Sequence, residues 1–218
     1  MAPRSEGARV CLIAVGELGL KTALRAKSAL GARAELWARR GLGEGDCLFE
    51  DLRGAAARAW ELFDALVFFS SCGVAVRAIS GLPSSKWDDP AVLAVDELGR
   101  SAVSLLSGHL GGANELALEL GRALGATPVV TTTSDLQGLS LPDSMARAWG
   151  LRVVGGERIK EMAASANLGR ALGLVVGPEV ELRWSGMPPY LVPLGWGEEI
   201  PPGLGLSLIH ISEPTRPY

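Results

Sequence analysis

The sequence has little cysteine and no long apolar run, and each shortage excludes a class of protein. Its three cysteines, Cys11, Cys47 and Cys72, are too few and too far apart for a disulfide framework or a CxxC metal site. No apolar run reaches the roughly 18 residues that a membrane-spanning helix needs, so no membrane partner is expected. The net charge of -3 gives no electrostatic case for nucleic acid. The polar start at residues 1–7 is unlike a signal peptide, and we expect a cytoplasmic protein.

What is present is typical of a soluble globular chain, with 48% hydrophobic and 21% charged residues among 218. Short apolar runs alternate with segments of helical periodicity, which favours a parallel sheet covered by helices. We predict an α/β fold: a mostly parallel sheet flanked by helices, with a second, smaller α/β region. The predicted strands of the larger region are Arg9–Val15, Ala34–Ala38, Ala65–Ser70, Ala91–Asp96, Ser101–Leu106 and Thr127–Thr132, and its helices are Glu17–Leu30, Asp51–Phe63, Cys72–Ile79 and Gly111–Leu124.

The pattern of apolar and polar residues changes near residue 139, and the amino-acid composition changes again at residue 207. We predict an N-terminal α/β domain over residues 1–138 and a central α/β region over residues 139–206. The elements expected in the central region are helices at Pro142–Trp149 and Glu157–Asn167 and strands at Arg152–Val154, Leu172–Val176 and Val180–Trp184. Residues 207–218 differ in composition from the rest and look like a non-native tail, so we expect a truncated reading frame.

The strongest candidate for a functional site is the segment 104–115, where a predicted strand ends and a predicted helix begins. His109 is the only histidine outside the tail, and histidine exchanges protons near neutral pH. The glycines around it allow a tight turn, and the free amides of a helix N-terminus favour an anion. A general base and a histidine that merely caps a turn both remain open at this point.

Hydroxyl and cationic groups lie near this segment in the predicted fold. Ligands of open parallel sheets bind beyond the carboxyl ends of the strands. By that rule Ser70–Gly73, Ser107–Asn114 and Thr131–Asp135 border one cleft, although each hydroxyl could instead cap the helix that follows. Arg77 and Lys86 suit a carboxylate or phosphate, or else are solvated surface charges.

In order along the chain, several motifs resemble the N-terminal domain of the CbiG family of cobalamin biosynthesis. The resemblance is densest from Ala65 to Asp135 and weaker from Arg152 to Trp196. Residues 131–135, Thr-Thr-Thr-Ser-Asp, stand where the family usually has Thr-Thr-Ala-Thr-Asp. The family's C-terminal domain has no counterpart, which leaves open whether this chain is active by itself. The segments that carry the resemblance are Gly73–Ile79, Lys86 with Asp89–Val92, Val95–Arg100, Ser104–Ala117 and Pro128–Thr132.

The resemblance implies a cobalt-precorrin 5A hydrolase of the anaerobic route to vitamin B12. Such an enzyme opens the lactone of a cobalt-corrinoid and releases acetaldehyde, giving cobalt-precorrin 5B. No cofactor is expected, because the substrate carries the cobalt. The expected partners are this substrate and either a second copy of the chain or other enzymes of the pathway.

Lactone opening needs a water activated by a base and a donor for the developing oxyanion. We expect His109 to be the base and the amides of Gly111 and Gly112 to be the donors, although the resemblance itself assigns no catalytic residue. The expected substrate-binding residues are Arg77, Lys86, Ser107, Gly108, Gly111, Gly112, Asn114, Glu115, Thr131, Thr132 and Asp135.

Two other functions compete with hydrolysis. The first is a non-catalytic module that holds an anionic tetrapyrrole for another enzyme of the pathway. The second is a nucleotide-binding α/β domain, against which stands the lack of a GxGxxG or Walker motif.

Overall fold

The structure is a computed structural model, and the chain forms two compact units, Arg4–Thr131 and Thr132–Tyr218 together with Met1–Pro3. The boundary predicted at residues 138–139 lies outside the described residues. The residues that the structure describes are 8–85, 88–109, 111–133, 162, 164–165, 168, 170–176, 191–194, 199 and 205–211.

The first unit is built on a seven-stranded sheet with the order β3-β2-β1-β4-β5-β6-β7. The first five strands along the chain are parallel to one another, β6 runs antiparallel to β5, and β7 is parallel to β6. The predicted mostly parallel sheet is therefore confirmed, and β5 and β6 form a hairpin within it. The strands are β1 (Val10–Ala14), β2 (Ala34–Arg39), β3 (Cys47–Phe49), β4 (Ala65–Phe69), β5 (Ala91–Val95), β6 (Ser101–Leu106) and β7 (Thr127–Val129).

Four helices cover the two faces of this sheet, as predicted. They are α1 (Glu17–Leu30), α2 (Leu52–Leu62), α3 (Cys72–Ala78) and α4 (Ala113–Leu124). The buried residues of α1 and α4 form one core with alternate residues of the strands, and those of α2 and α3 form a second core on the opposite face. Strands β1, β4 and β5 are buried along their whole length, which is why they read as continuous apolar runs rather than alternating ones.

Local chemistry explains where two of the helices begin. The Asp51 side chain accepts hydrogen bonds from the amides of Arg53 and Gly54, so α2 begins one residue later than predicted. Helix α4 begins at Ala113 rather than Gly111, because Gly112 has a φ of +86°, outside the right-handed helical region. Strand β3 was not predicted, since three residues are too few to show a period.

The second unit contains a parallel three-stranded sheet with the order β10-β8-β9. Its strands are β8 (Leu172–Val176), β9 (Leu191–Leu194) and β10 (Gly205–Ile211). Strand β8 was predicted and β9 was not. Strand β10 includes five residues of the tail that the sequence set apart, and three of them, Ile209, His210 and Ile211, pair with β8. Of the remaining predictions for this region, 142–149, 152–154 and 180–184 lie outside the described residues, as does most of 157–167.

None of the helices within the described ranges is long and apolar enough to cross a membrane.

One ion pair gives the first unit a pH-dependent contribution to stability. Asp46 accepts hydrogen bonds from Lys27 Nζ at 2.6 Å and from the Leu36 amide at 2.7 Å. The bond from Lys27, followed by the bond from the backbone, lowers the pKa of Asp46. Because the folded state holds this pKa below its unfolded value of about 3.9, the stabilisation is present above that pH and is lost as the pH falls through the folded pKa.

We therefore expect Asp46→Asn to destabilise the protein at neutral pH and to cost progressively less below about pH 4. The two side chains are 34% and 39% exposed, so solvent screening limits the loss to about 1 kcal/mol or less. Urea unfolding of both proteins at several pH values measures it. Glu50→Gln, in the far more exposed Arg40–Glu50 pair, is the control and should change little. A loss from Asp46→Asn that stays constant down to pH 2 would contradict this linkage.

Candidate functional site

The hairpin between β5 and β6 decides which groups share an edge of the sheet. Because β6 and β7 run antiparallel to β5, they end where β4 and β5 begin. The turn at 70–73 follows the other end of β4. The two edges are about 13 Å apart, the length of a five-residue strand. The prediction of one cleft bordered by 70–73, 107–114 and 131–135 is therefore wrong for the first of these segments. The rule used for it holds only while every strand is parallel.

The segment from Ser107 to Gly112, called here the β6–α4 turn, folds back on the start of α4. The amide of Gly112 donates to the carbonyl of His109 at 3.1 Å, that of Ala113 to Ser107 at 3.2 Å, and that of Asn114 to Gly108 at 3.1 Å. The carbonyls of the turn thus occupy three amides that the sequence left for an anion. The expectation of Gly112 as an oxyanion donor is not met in this conformation.

Tight packing explains why glycine stands at position 111. A Cβ on Gly111 would lie 2.8 Å from the carbonyl oxygen of Ser107, closer still to Ser107 Cβ, and 3.3 Å from the Ala91 amide. The turn therefore contacts the start of β5 directly. Any side chain at position 111 would push the β6–α4 turn away from the start of β5.

Asn114 holds the turn from inside the protein. It is only 4% exposed, and its Oδ1 accepts a hydrogen bond from Ser104 Oγ at 2.7 Å. A Cβ on Gly108 would lie 2.7 Å from this same Oδ1, so the amide lies against the backbone of the turn. Both Gly108 and Asn114 were predicted to bind substrate, and the structure gives them contacts within the protein. Ser104 is not among the residues predicted from the sequence to bind substrate. Its place on the α4 face of β6, opposite Leu93, is the signal that could have found it.

Ser107 combines two unfavourable features. Its φ of +56° makes it the one non-glycine residue with a positive φ in the described part of the chain. Its Oγ is buried and has no hydrogen-bond partner. Left-handed backbone strain and orphaned buried hydroxyls are both uncommon, and both concentrate at functional sites.

The other predicted residues lie at varying distances from this turn along the chain. His109 is partly buried within the turn and makes a contact within the protein, and Glu115 is exposed on the first turn of α4. Thr131 is exposed beyond β7, whose end shares the edge with the end of β6. Thr132 is the first residue of the second unit's main segment. Their role in binding substrate stays a prediction.

Of the two predicted cationic anchors, Arg77 is not placed beside the turn. Arg77 Nη1 donates to the carbonyl of Gly73 at 3.1 Å, at the start of α3. Since α3 follows the carboxyl end of β4, the guanidinium lies at the edge opposite to His109. Lys86 and Asp135 lie outside the described residues.

A pocket of about 350 Å³ opens at the edge that carries the β6–α4 turn. Asp89 is buried there and accepts hydrogen bonds from Ser84 and Ser85, in the segment that leads into β5. The carboxylates of Glu61, Asp64, Asp88 and Asp89 line this pocket, and their negative charge makes the pocket a poor place for an anionic group. The pocket is lined by Trp60, Glu61, Leu62, Phe63, Asp64, Ser84, Asp88, Asp89 and Pro90.

Among the described residues, no group of three or more His, Cys, Asp and Glu side chains is placed to hold a metal ion. Cys11, Cys47 and Cys72 are free thiols. Burial raises the pKa of the Cys11 thiol, which keeps it protonated and unreactive.

Comparison with known proteins places the turn inside a recognised family region. Residues 54–135 match the family described as cobalamin synthesis G N-terminal. A cobalt-precorrin-5A hydrolase of Salmonella typhimurium is 45% identical over 91 residues, which cover 42% of this chain and 26% of that protein. One of Priestia megaterium is 39% identical over 106 residues, or 49% of this chain and 28% of that one. The chain thus matches about a quarter of the length of these relatives.

A solved structure supports the fold. The crystal structure of a cobalamin biosynthesis protein G homologue from Sulfolobus solfataricus matches with a TM-score of 0.55. The match covers 93% of this chain and 59% of that one at 21% identity. At this identity the structural similarity supports the fold and carries no information about the activity.

Proposed function

We propose, from the premise that this chain is a CbiG-like protein over its N-terminal region, that it acts in cobalamin biosynthesis as a cobalt-precorrin-5A hydrolase. The observation that carries the proposal is the place of the family match. Residues 54–135 include the whole β6–α4 turn, its anchor Asn114 and the edge of the sheet that the turn contacts. The anaerobic route and a cytoplasmic location belong to the same proposal.

The reaction is the hydrolysis of a cyclic ester. The oxygen of a water molecule bonds to the acyl carbon of the lactone, and the bond from that carbon to the ring oxygen breaks. His109 takes a proton from the attacking water and returns one to the departing oxygen. The products of this step are a carboxylate and a hydroxyl on the macrocycle. The carbon that bears the hydroxyl then becomes the aldehyde carbonyl as the O–H proton is lost and its carbon–carbon bond to the macrocycle breaks, and the macrocycle carbon that keeps the electron pair takes up a proton. The cobalt is part of the substrate, and no resident cofactor is required by these steps.

The placement of charges bears on how substrate would approach. A corrinoid bearing several carboxylates is repelled by the acidic pocket beside Asp64 and Asp89. Arg77 lies at the other edge, so we do not retain it as an anchor for a substrate at His109. Lys86 stays a proposed anchor. We also propose that the product passes to another enzyme of the pathway, or that two copies of the chain act together.

The experiment is to incubate the complete gene product with the cobalt-corrinoid lactone and to follow acetaldehyde with alcohol dehydrogenase and NADH. The Priestia megaterium hydrolase is the positive control. Release of acetaldehyde by both proteins supports the proposal. Tight binding of the corrinoid without any release would instead favour a non-catalytic binding module.

A further inference from the structure

We propose that the Ser107 hydroxyl is the donor that stabilises the oxyanion of the lactone, and this assignment rests on the proposed hydrolase function. The expected donors were the amides of Gly111 and Gly112. The Gly112 amide donates to the carbonyl of His109 at 3.1 Å, the Ala113 amide to that of Ser107, and the Asn114 amide to that of Gly108. Ser107 Oγ is the orphaned donor that the structure places two residues from His109.

The orphaned hydroxyl is costly to the folded protein. A buried hydroxyl without a partner loses its hydrogen bonds to water and gains none. Alanine at the same position would avoid that loss. The folded chain therefore gains no stability from the Ser107 hydroxyl. A carbonyl oxygen supplied by a ligand would give this hydroxyl the hydrogen-bond acceptor that the protein does not.

The backbone conformation of Ser107 supports the same assignment. At a φ of +56°, serine is strained where glycine would not be. The conformation is held by the Ala113 amide on the Ser107 carbonyl and by the close contact of Gly111 with Ser107 Cβ. The surrounding contacts thus fix a strained backbone and present a side chain that satisfies nothing within the protein.

Small motions suffice to bring the hydroxyl to a ligand. Ser107 as a residue is partly exposed although its Oγ is buried. A change of rotamer about Cα–Cβ moves the oxygen without moving the turn, and such changes are fast. The hydroxyl then donates to the carbonyl oxygen of the lactone, whose negative charge grows as water adds to the acyl carbon.

The test compares the serine substitutions Ser107→Ala, Ser104→Ala and Ser101→Ala in the complete gene product. Ser107→Ala should lower kcat for lactone opening about 100-fold or more with little change in KM. It should leave Tm unchanged or raise it by about 2–4 °C, because an unsatisfied group is removed. Ser104→Ala should lower Tm, because the buried Asn114 Oδ1 loses the hydrogen bond that Ser104 Oγ donates. Ser101 starts the same strand at the opposite edge, and its substitution should leave kcat unchanged.

Two results would overturn the assignment of Ser107. One is a kcat of Ser107→Ala within about twofold of the unsubstituted protein, against the loss expected for an oxyanion donor. The other is a fall in Tm like that of Ser104→Ala, which would mean that the hydroxyl has a structural partner. Either result leaves the hydrolase function standing if the unsubstituted protein is active. An unsubstituted protein that leaves the lactone intact, beside an active Priestia megaterium control, would overturn both proposals.

Discussion

Replacing His109 by alanine should lower kcat for lactone opening by about 10²–10⁴-fold, the usual worth of a general base. The imidazole is lost, whereas the His109 carbonyl that accepts from Gly112 remains, so the turn should keep its fold. The measurement is steady-state release of acetaldehyde, with far-ultraviolet circular dichroism to confirm that the variant is folded.

His109→Gln is the matched control for that substitution. Glutamine keeps a polar side chain that can hydrogen-bond, but it does not take a proton at neutral pH. It should therefore be nearly as inactive as His109→Ala. Full activity in His109→Gln would show that the histidine only positions the turn. Unchanged activity in both variants would remove His109 from the mechanism.

Gly111→Ala should cost about 3 kcal/mol in the free energy of unfolding, because the added methyl group overlaps Ser107 and presses on the start of β5. Lactone opening should fall as well, since the overlap displaces Ser107, the proposed oxyanion donor two residues before His109. Urea denaturation measures the loss.

Gly125→Ala separates overlap from backbone strain. Gly125 ends α4 with a φ of +73°, and a Cβ there would meet nothing within 4 Å. Its substitution should cost only about 1 kcal/mol, from the left-handed backbone alone. Equal losses for the two variants would show that the contact between the turn and β5 is not tight.

The sequence predicted the elements of the first unit well, because their signals are local. β1, β4 and β5 are apolar along their length, and α1 matches its predicted bounds. β3 was missed because it has only three residues. β9 was also not predicted, because it has only four residues and one of them is a proline, which weakens the sequence pattern of a strand.

The arrangement of the site could be predicted only in part. The sequence located the β6–α4 turn and His109, because a histidine between glycines at a strand end is visible without a structure. It placed Ser70–Gly73 in the same cleft, although the hairpin between β5 and β6 separates the two edges of the sheet. Because the hairpin reverses β6, its carboxyl end lies at the edge of the sheet opposite to that of β4. The left-handed Ser107 and its orphaned hydroxyl depend on contacts with Gly111 and Ala113, which no local pattern encodes.

The most direct test of hydrolysis at this turn is mass spectrometry of the macrocycle after reaction in water labelled with heavy oxygen. If the complete gene product directs water onto the acyl carbon of the lactone, the new carboxylate carries one labelled oxygen, and His109→Ala forms little of this product in the same time. A macrocycle that stays closed and unlabelled with the unsubstituted protein, while the Priestia megaterium hydrolase opens it, would contradict the proposed function.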